Sequence, residues 1–462
     1  MPPPSAEKGA TSTKLHVLLL CTHFPPLNRT GARRPYYLAR QLRDEGHQVS
    51  VLTSTETEDA TWEVDLGGIS VMRCPRTHLQ RDMHPWQRTI AKAHHRIQGK
   101  FLHGPLRVLS DLLLPLDHGS RWDVLPEEIE QRFGIPDVVL ATAPGWSTAE
   151  TGMRLANVWN ATFLVDYRDP WSIIDPSLHM DIVTGHGKGL AGILRKAVFK
   201  QREKKIGSAA FAITAVSDGV LRNAQQVTRN FRGSVFTGGY DPDIQPAAQV
   251  RNGKFTLVYT GRVYPEQDWG LVMSGLDRLS TAIEGFHDHF ILRMIGTVSN
   301  DPSLLRDLQA TAERTHAMEL IPRMPREEAL REQHAADALL HLTYRGRKGF
   351  LPVKFLEYLN ADRPILLVTK EEDIMESILI RTGTGILIPD ARSFIDLIQD
   401  RLAQWKEGLV WKLLPDCEAL REFAYPERMR PWVEQIWAWD IERRSSIPMP
   451  DDGRYISMPP EV

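Results

Sequence analysis

A lysine and a glutamate three residues apart, Lys354 and Glu357, stand in the run Phe350-Leu-Pro-Val-Lys-Phe-Leu-Glu-Tyr-Leu359. Pro352 suits the first turn of a helix, where its missing N–H costs nothing. Phe355, Leu356 and Leu359 then recur at helical spacing as a buried stripe. The spacing puts Lys354 and Glu357 on one face near the helix start. Ahead of them lies a basic, glycine-containing loop, Arg345-Gly-Arg-Lys-Gly349. Such a loop, free N–H groups at a helix N-terminus and a lysine beside them can hold a diphosphate. A carboxylate one turn further in can accept hydrogen bonds from a ribose. Taken alone, the same residues also read as a surface helix with an ordinary Lys/Glu pair.

Other residues could join that chemistry. Arg168-Asp169-Pro-Trp171 puts a charged pair and an aromatic at the end of an apolar run. Asp169 either fixes the turn before Pro170 and pairs with Arg168, or receives a substrate hydroxyl. Gly31 closes the loop Thr22-His-Phe-Pro-Pro-Leu-Asn-Arg-Thr-Gly31, where a glycine lets backbone approach a ligand. Arg262 sits in a second exit loop, Thr260-Gly-Arg-Val-Tyr-Pro265.

The elements that must position these residues follow from short apolar runs. His16–Cys21, 48–53, 137–141, 162–166 and 210–216 read as buried parallel strands, as do 255–259, 290–295, 338–342 and 364–368. A helix from about Arg33 to Glu45 completes a βαβ unit with the first two strands, and Gly46 stops it. Ser217 caps another helix. Loops at strand carboxyl ends are where open α/β sheets bind ligands. The organisation expected is a tail over 1–13, an N-terminal Rossmann-like domain over 14–238, a linker over 239–253 and a second Rossmann-like domain over 254–424. A final helix over 425–444 crosses back to the first domain, before a tail over 445–462.

Composition sets limits. A chain of 462 residues is too long for one core. Its net charge of −2 gives no footprint for nucleic acid. Cys21, Cys74 and Cys417 form neither a disulfide framework nor a zinc pattern, which fits a reducing, cytoplasmic setting. The N-terminus lacks the apolar core of a signal peptide. Two basic amphipathic stretches, 80–130 and Lys188–Lys205, can lie on an anionic membrane surface, or can turn a solvated basic face outward from a core.

Across nearly the whole chain the pattern resembles the retaining glycosyltransferases of family 4, which have the GT-B fold: two Rossmann-like doubly wound α/β domains facing a central cleft. The pieces are Phe24-Pro-Pro with Gly31; Leu38-Ala-Arg-Gln-Leu; Gly46-His-Gln-Val-Ser-Val-Leu-Thr; Asp166-Tyr-Arg-Asp-Pro-Trp171; Ile213-Thr-Ala-Val-Ser217; Gly239-Tyr-Asp241; Tyr259-Thr-Gly-Arg262; Ala336-Asp-Ala-Leu-Leu340; and Leu351-Pro-Val-Lys-Phe-Leu-Glu-Tyr-Leu359 with Arg363-Pro-Ile-Leu. The last resembles the subfamily that writes Pro-x-Lys-x-x-Glu-Tyr.

The resemblance implies roles. Gly31 lies near the donor phosphates and acceptor. Arg262 and Lys354 bind the donor diphosphate and act in catalysis. Glu357, with Tyr358 beside it, holds the nucleotide ribose, and Arg168 and Asp169 are acceptor-side candidates. Fixed cations would stabilise the charge that builds on a leaving diphosphate. No Asp-x-Asp run reads as a metal pair, and the expectation is a metal-independent enzyme with no cofactor, a UDP-sugar as donor and a saccharide or lipid-linked acceptor. Its setting would be polysaccharide, lipopolysaccharide or glycoconjugate synthesis, cytoplasmic or peripheral on the inner face of the membrane. Three departures stand out. Gly349 replaces a carboxylate and Asp268 replaces a lysine. A histidine some relatives place after the Thr-Ala-Pro loop is missing around Ala149, with His23 and His118 as the nearest substitutes in sequence. Two other readings stay open: a nucleotide-sugar epimerase on this fold, and a non-catalytic nucleotide-sugar-binding subunit. A dinucleotide dehydrogenase is disfavoured, since neither half shows GxGxxG after a strand.

Overall fold

The structure is a computed structural model that describes residues 14–55, 60–77, 85–97, 121–143, 145–172, 189–244, 253–299, 301–345, 351–368 and 373–446. Apolar runs without alternation form strands covered on both faces. In the first domain these are β1 (His16–Cys21), β2 (Gln48–Ser54), β3 (Ile69–Cys74), β4 (Val138–Ala143), β5 (Thr162–Tyr167), β6 (Ala212–Ala215) and β7 (Gly233–Val235). They pair in parallel in the order β3-β2-β1-β4-β5-β6-β7. The second sheet is also parallel: β8 (Phe255–Thr260), β9 (Phe290–Ile295), β10 (Met318–Ile321), β11 (Ala338–Leu342), β12 (Ile365–Val368) and β13 (Gly385–Ile388). Its order is β10-β9-β8-β11-β12-β13.

Helices α1 (Thr30–Asp44), α2 (Trp146–Trp159), α3 (Gly189–Ala209) and α4 (Asp218–Thr228) belong to the first domain. Helices α5 (Trp269–Ala282), α6 (Arg326–Ala335) and α7 (Val353–Leu359) belong to the second, and α8 (Tyr425–Ser446) follows it. Ser217 caps α4, its hydroxyl accepting from the Val220 N–H. The apolar face of α8 (Met429, Trp432, Val433, Ile436, Trp439) packs into one core with Tyr37, Leu38 and Leu42 of α1. The two crossings between domains run side by side, with Tyr240 donating to Phe423 O and Tyr425 donating to Tyr240 O, both at 2.9 Å.

Two details differ from the sequence reading. Helix α1 starts at Thr30 rather than Arg33, so Gly31 lies in its first turn. Strands β3, β7, β10 and β13 were not foreseen from apolar runs. They are the four sheet edges, and each includes half-covered positions. An edge strand needs less apolar sequence than a strand packed on both faces. The stretch 80–130 includes a helix at Pro85–Ile97, but 98–120 lies outside the described residues, as does 245–252 of the linker. No helix among the described residues is long and apolar enough to cross a membrane.

Candidate functional site

Each sheet has one place where the strand order turns back, beside β1 in the first and beside β8 in the second, and there the exit loops part to leave a crevice. The two crevices face each other across a cavity of about 470 Å³. Gly31, Arg34, Arg168 and Asp169 line it from the first domain. Arg262, Tyr264 and Lys354 line it from the second, with Tyr425 from α8. Five sequence-picked residues thus converge from positions up to 323 apart in the chain: Gly31, Arg168, Asp169, Arg262 and Lys354.

The local chemistry explains why these residue types stand there. Arg168 donates from Nη1 to Gly31 O at 2.9 Å and from Nε to Ala143 O at 3.3 Å, so its guanidinium lies across the first turn of α1. A Cβ at residue 31 would overlap that guanidinium and force Arg168 to shift. Burial lowers the Arg168 pKa, and Asp169 and Asp166 oppose that fall. Burial raises the Asp169 carboxyl, with Arg168 pulling it back. The loop carrying Asp169 is held from behind. Trp171 stacks on Trp146 at 3.9 Å, and Ser172 donates its N–H to Glu203 at 3.0 Å and its hydroxyl to the same oxygen.

On the opposite wall, Gly261 takes a left-handed φ of +93°, a conformation that suits glycine, and so turns the chain sharply out of β8 into Arg262. Tyr259 bonds Arg262 O at 2.7 Å and fixes that turn. The same phenol accepts from Lys354 Nζ, which also lies 3.9 Å from the Tyr259 ring centroid. Desolvation brings Lys354 from 10.5 down to about 7. Its amine rests against the Tyr259 ring, and a bound anion would favour its charged form.

Two residues of the donor motif do not reach the cavity wall. Tyr358 is buried, and its hydroxyl accepts from Thr260 N at 2.8 Å and meets Thr260 Oγ1 at 3.1 Å. It braces the end of β8 and cannot contact a ligand in this arrangement. Glu357 is engaged by Arg326, whose Nε and Nη2 both donate to Oε1, at 3.0 and 2.8 Å. Lys354 and Glu357 are therefore not a mutual pair: one turns to Tyr259 and the cavity, the other to α6. Asp268, where a lysine was expected, caps α5 by accepting from Leu271 N at 3.2 Å. Gly349 and His118 lie outside the described residues. His23 sits 3.2 Å from Arg29 and is kept neutral, its pKa lowered to about 4 by burial and by Arg168, Arg29 and Arg76.

Sequence reasoning missed Arg34. It pairs with buried Asp166 at 2.7 and 2.9 Å, and Thr214 donates to the same carboxylate at 2.8 Å. Asp166 was visible as the first residue of Asp166-Tyr-Arg-Asp-Pro-Trp171, but its partner lies 132 residues away.

No protein-family model and no curated protein matches the sequence. Solved structures do match. A glycosyltransferase from Rickettsia africae is 15% identical over 92% of this chain and 98% of its own, with a TM-score of 0.54. The α,α-trehalose 6-phosphate synthase of Burkholderia multivorans is 11% identical over 94% and 100%, with a TM-score of 0.55. Anabaena Alr3699/HepE, solved in complex with UDP, is 10% identical over 94% and 99%, with a TM-score of 0.51. At such identities the likeness is one of fold. This chain has the GT-B fold, two Rossmann-like α/β domains facing a central cleft.

Proposed function

We propose that the chain is a retaining glycosyltransferase of the family 4 kind, which moves a sugar from a nucleoside-diphosphate sugar, foremost a UDP-sugar, to a hydroxyl acceptor. One observation carries the reading: Arg262 and Lys354 of one domain face Gly31, Arg168 and Asp169 of the other across a single cavity. The first pair supplies positive charge where a diphosphate would leave. The second group supplies a carboxylate and a tight backbone approach where an acceptor would enter.

In the reaction proposed, the bond from the anomeric carbon to the donor phosphate oxygen breaks and its electron pair leaves with the diphosphate. The acceptor oxygen bonds the same carbon on the same face, so configuration is retained. The acceptor proton passes to the departing phosphate oxygen, which gains basicity as the bond breaks. Arg262 and Lys354 hold the diphosphate charge without reorganising, which is how fixed groups lower such a barrier. They make the reading a metal-independent one. Asp169 receives the acceptor hydroxyl, and closure of the cleft keeps water from the anomeric carbon.

The acceptor class proposed is saccharide or lipid-linked, in polysaccharide, lipopolysaccharide or glycoconjugate synthesis, with contact at the inner face of the cell membrane. Helix α3 supports that contact: Ile193 and Leu194 are 68% and 47% exposed, beside exposed Lys196, Lys200, Lys204 and Lys205. Apolar side chains projecting from a basic helical face suit an anionic bilayer.

The test is thermal unfolding of wild type and Lys354→Ala with UDP, GDP, ADP and dTDP. A nucleotide at 100 times its Kd adds about 2.7 kcal/mol of stability, a shift readily seen. Stabilisation of wild type by one nucleotide, lost in the variant, supports a donor site at Lys354. Stabilisation by none overturns it.

A further inference from the structure

A second cavity, an open groove of about 900 Å³, lies at the other end of the first domain. Its walls are the amino ends of β5, β6 and β7 and the carboxyl ends of α2, α3 and α4, with Arg443 of α8 on one side. The strands are parallel and their carboxyl ends form the cleft, so the six residues of β5 put the groove about 20 Å away from it. None of the residues given a role in sugar transfer lines it.

Lys204, Arg229, Arg232 and Arg443 line this groove, and among the described residues no carboxylate does. Lys204 and Arg229 have no ion-pair partner among the described residues. Arg443 donates to the neutral Asn160 side chain at 2.6 Å, which leaves its charge uncancelled. Arg232 pairs with Glu442 at 2.8 Å, an exposed pair that a ligand anion can replace. Helix ends do not account for so much positive charge. The carboxyl ends of α2, α3 and α4 each bring about half a negative charge and Glu442 one more, and the four cations exceed that total by about 1.5 charges. Neutral groups serve the terminal carbonyls: Asn230 Nδ2 donates to Gly207 O at 3.0 Å and to Ala210 O at 2.7 Å, and Ser208 Oγ donates to Thr228 O at 2.7 Å. Those carbonyls do not need the cations.

We infer that the groove is a second ligand site, for an anionic oligosaccharide that carries carboxylate or phosphate groups. The four cations meet the anionic groups. Asn157, exposed and without a hydrogen bond among the described residues, meets sugar hydroxyls. Phe231, 69% exposed, offers the negative face of its ring to sugar C–H groups. A nucleic acid is disfavoured by the chain's net charge of −2. An anionic bilayer, which Ile193 and the lysines of α3 suit, presents its charge on a plane, whereas these cations line a hollow. The site stands apart from the donor reading. Joined to it, the groove would keep a charged saccharide chain beside the cleft and raise its effective concentration there.

The experiment is calorimetric titration of the full chain with tetragalacturonate and phosphorylated maltotetraose, with maltotetraose itself as the neutral control. Inorganic tripolyphosphate and vesicles of phosphatidylglycerol and phosphatidylcholine in equal parts are titrated alongside. The variant joins Lys204→Gln to Arg229→Asn, since residue 229 has a left-handed φ of +59°, which asparagine accepts. Melting curves with and without the four nucleotides above report its fold and its cleft. At least one anionic oligosaccharide is expected to bind wild type about tenfold or more tighter than maltotetraose. The variant should lose about tenfold or more of that affinity, as two charge-assisted contacts go. Added salt should weaken wild type more steeply than the variant. Equal affinity in wild type and variant overturns the inference, and so does binding of neither anionic oligosaccharide. Tripolyphosphate or vesicles that bind as tightly as the oligosaccharide, and lose as much in the variant, mark a site for charge alone and overturn it too. A nucleotide response in wild type leaves the donor reading standing whatever these titrations give, and its absence removes that reading without touching this one.

Discussion

Nucleotide affinity should fall with rising pH through Lys354. In the free protein its ammonium is pressed against Tyr259, with burial bringing its pKa to about 7, so it is half protonated at pH 7. A bound diphosphate favours the charged form and lifts the pKa back toward the usual lysine value of about 10.4. The sign follows from linkage. The complex holds more protons than the free protein between the two pKa values, so binding is strongest below about 7 and is lost as pH rises toward the bound value. If the bound pKa returns fully, the dissociation constant for UDP rises about fivefold from pH 7 to 8 and about fiftyfold from pH 7 to 9. At pH 7 binding takes up about half a proton, measurable by calorimetry in buffers of different ionisation enthalpy. Lys354→Met should bind weakly with a flat profile over the same range. A flat wild-type profile, or an equal slope in the variant, would refute the assignment of Lys354 to the diphosphate.

Other perturbations test other parts of the argument. Gly31→Ala drives a methyl group into the Arg168 guanidinium and disturbs its bond to Gly31 O; kcat/KM for sugar transfer should drop at least about tenfold, with a stability loss of about 1–3 kcal/mol in denaturant unfolding. Arg34→Met strands the buried Asp166 carboxylate, and denaturant unfolding should show a loss of about 3–5 kcal/mol. Glu203 is buried and its carboxyl is raised from 4.5 to about 7, chiefly by desolvation, so the folded protein loses stability as pH rises from about 4.5 through 7. Glu203→Gln should flatten that decline in a series of melts. Trp432→Ala empties the joint core of α1 and α8, at a cost of about 3–5 kcal/mol in urea unfolding.

Much of the fold was written in local sequence. A short unbroken apolar run such as His16-Val-Leu-Leu-Leu-Cys21 suits an inner parallel strand covered on both faces, and it forms one. The glycine at the exit of β8 was legible as a turn, and the loops at strand ends pointed to a cleft. Edge strands escaped, because a strand covered on one side has no need of a continuous apolar run. At the site, residue type and position picked Gly31, Arg168, Asp169 and Lys354, the family resemblance added Arg262, and all five line the cavity.

Partners were another matter. Helical spacing states the azimuth of Lys354 and Glu357 but not what faces them, and the fold gave one to Tyr259 and the other to Arg326. Tyr358, inside the same motif, turned inward to brace Thr260. Arg34 and Asp166, 132 positions apart, meet only because α1 lies across the carboxyl end of β5. Sequence fixes which groups a segment offers and which way they alternate. Only the packing of distant segments decides which charge each group meets, and that choice sets the chemistry of the cleft.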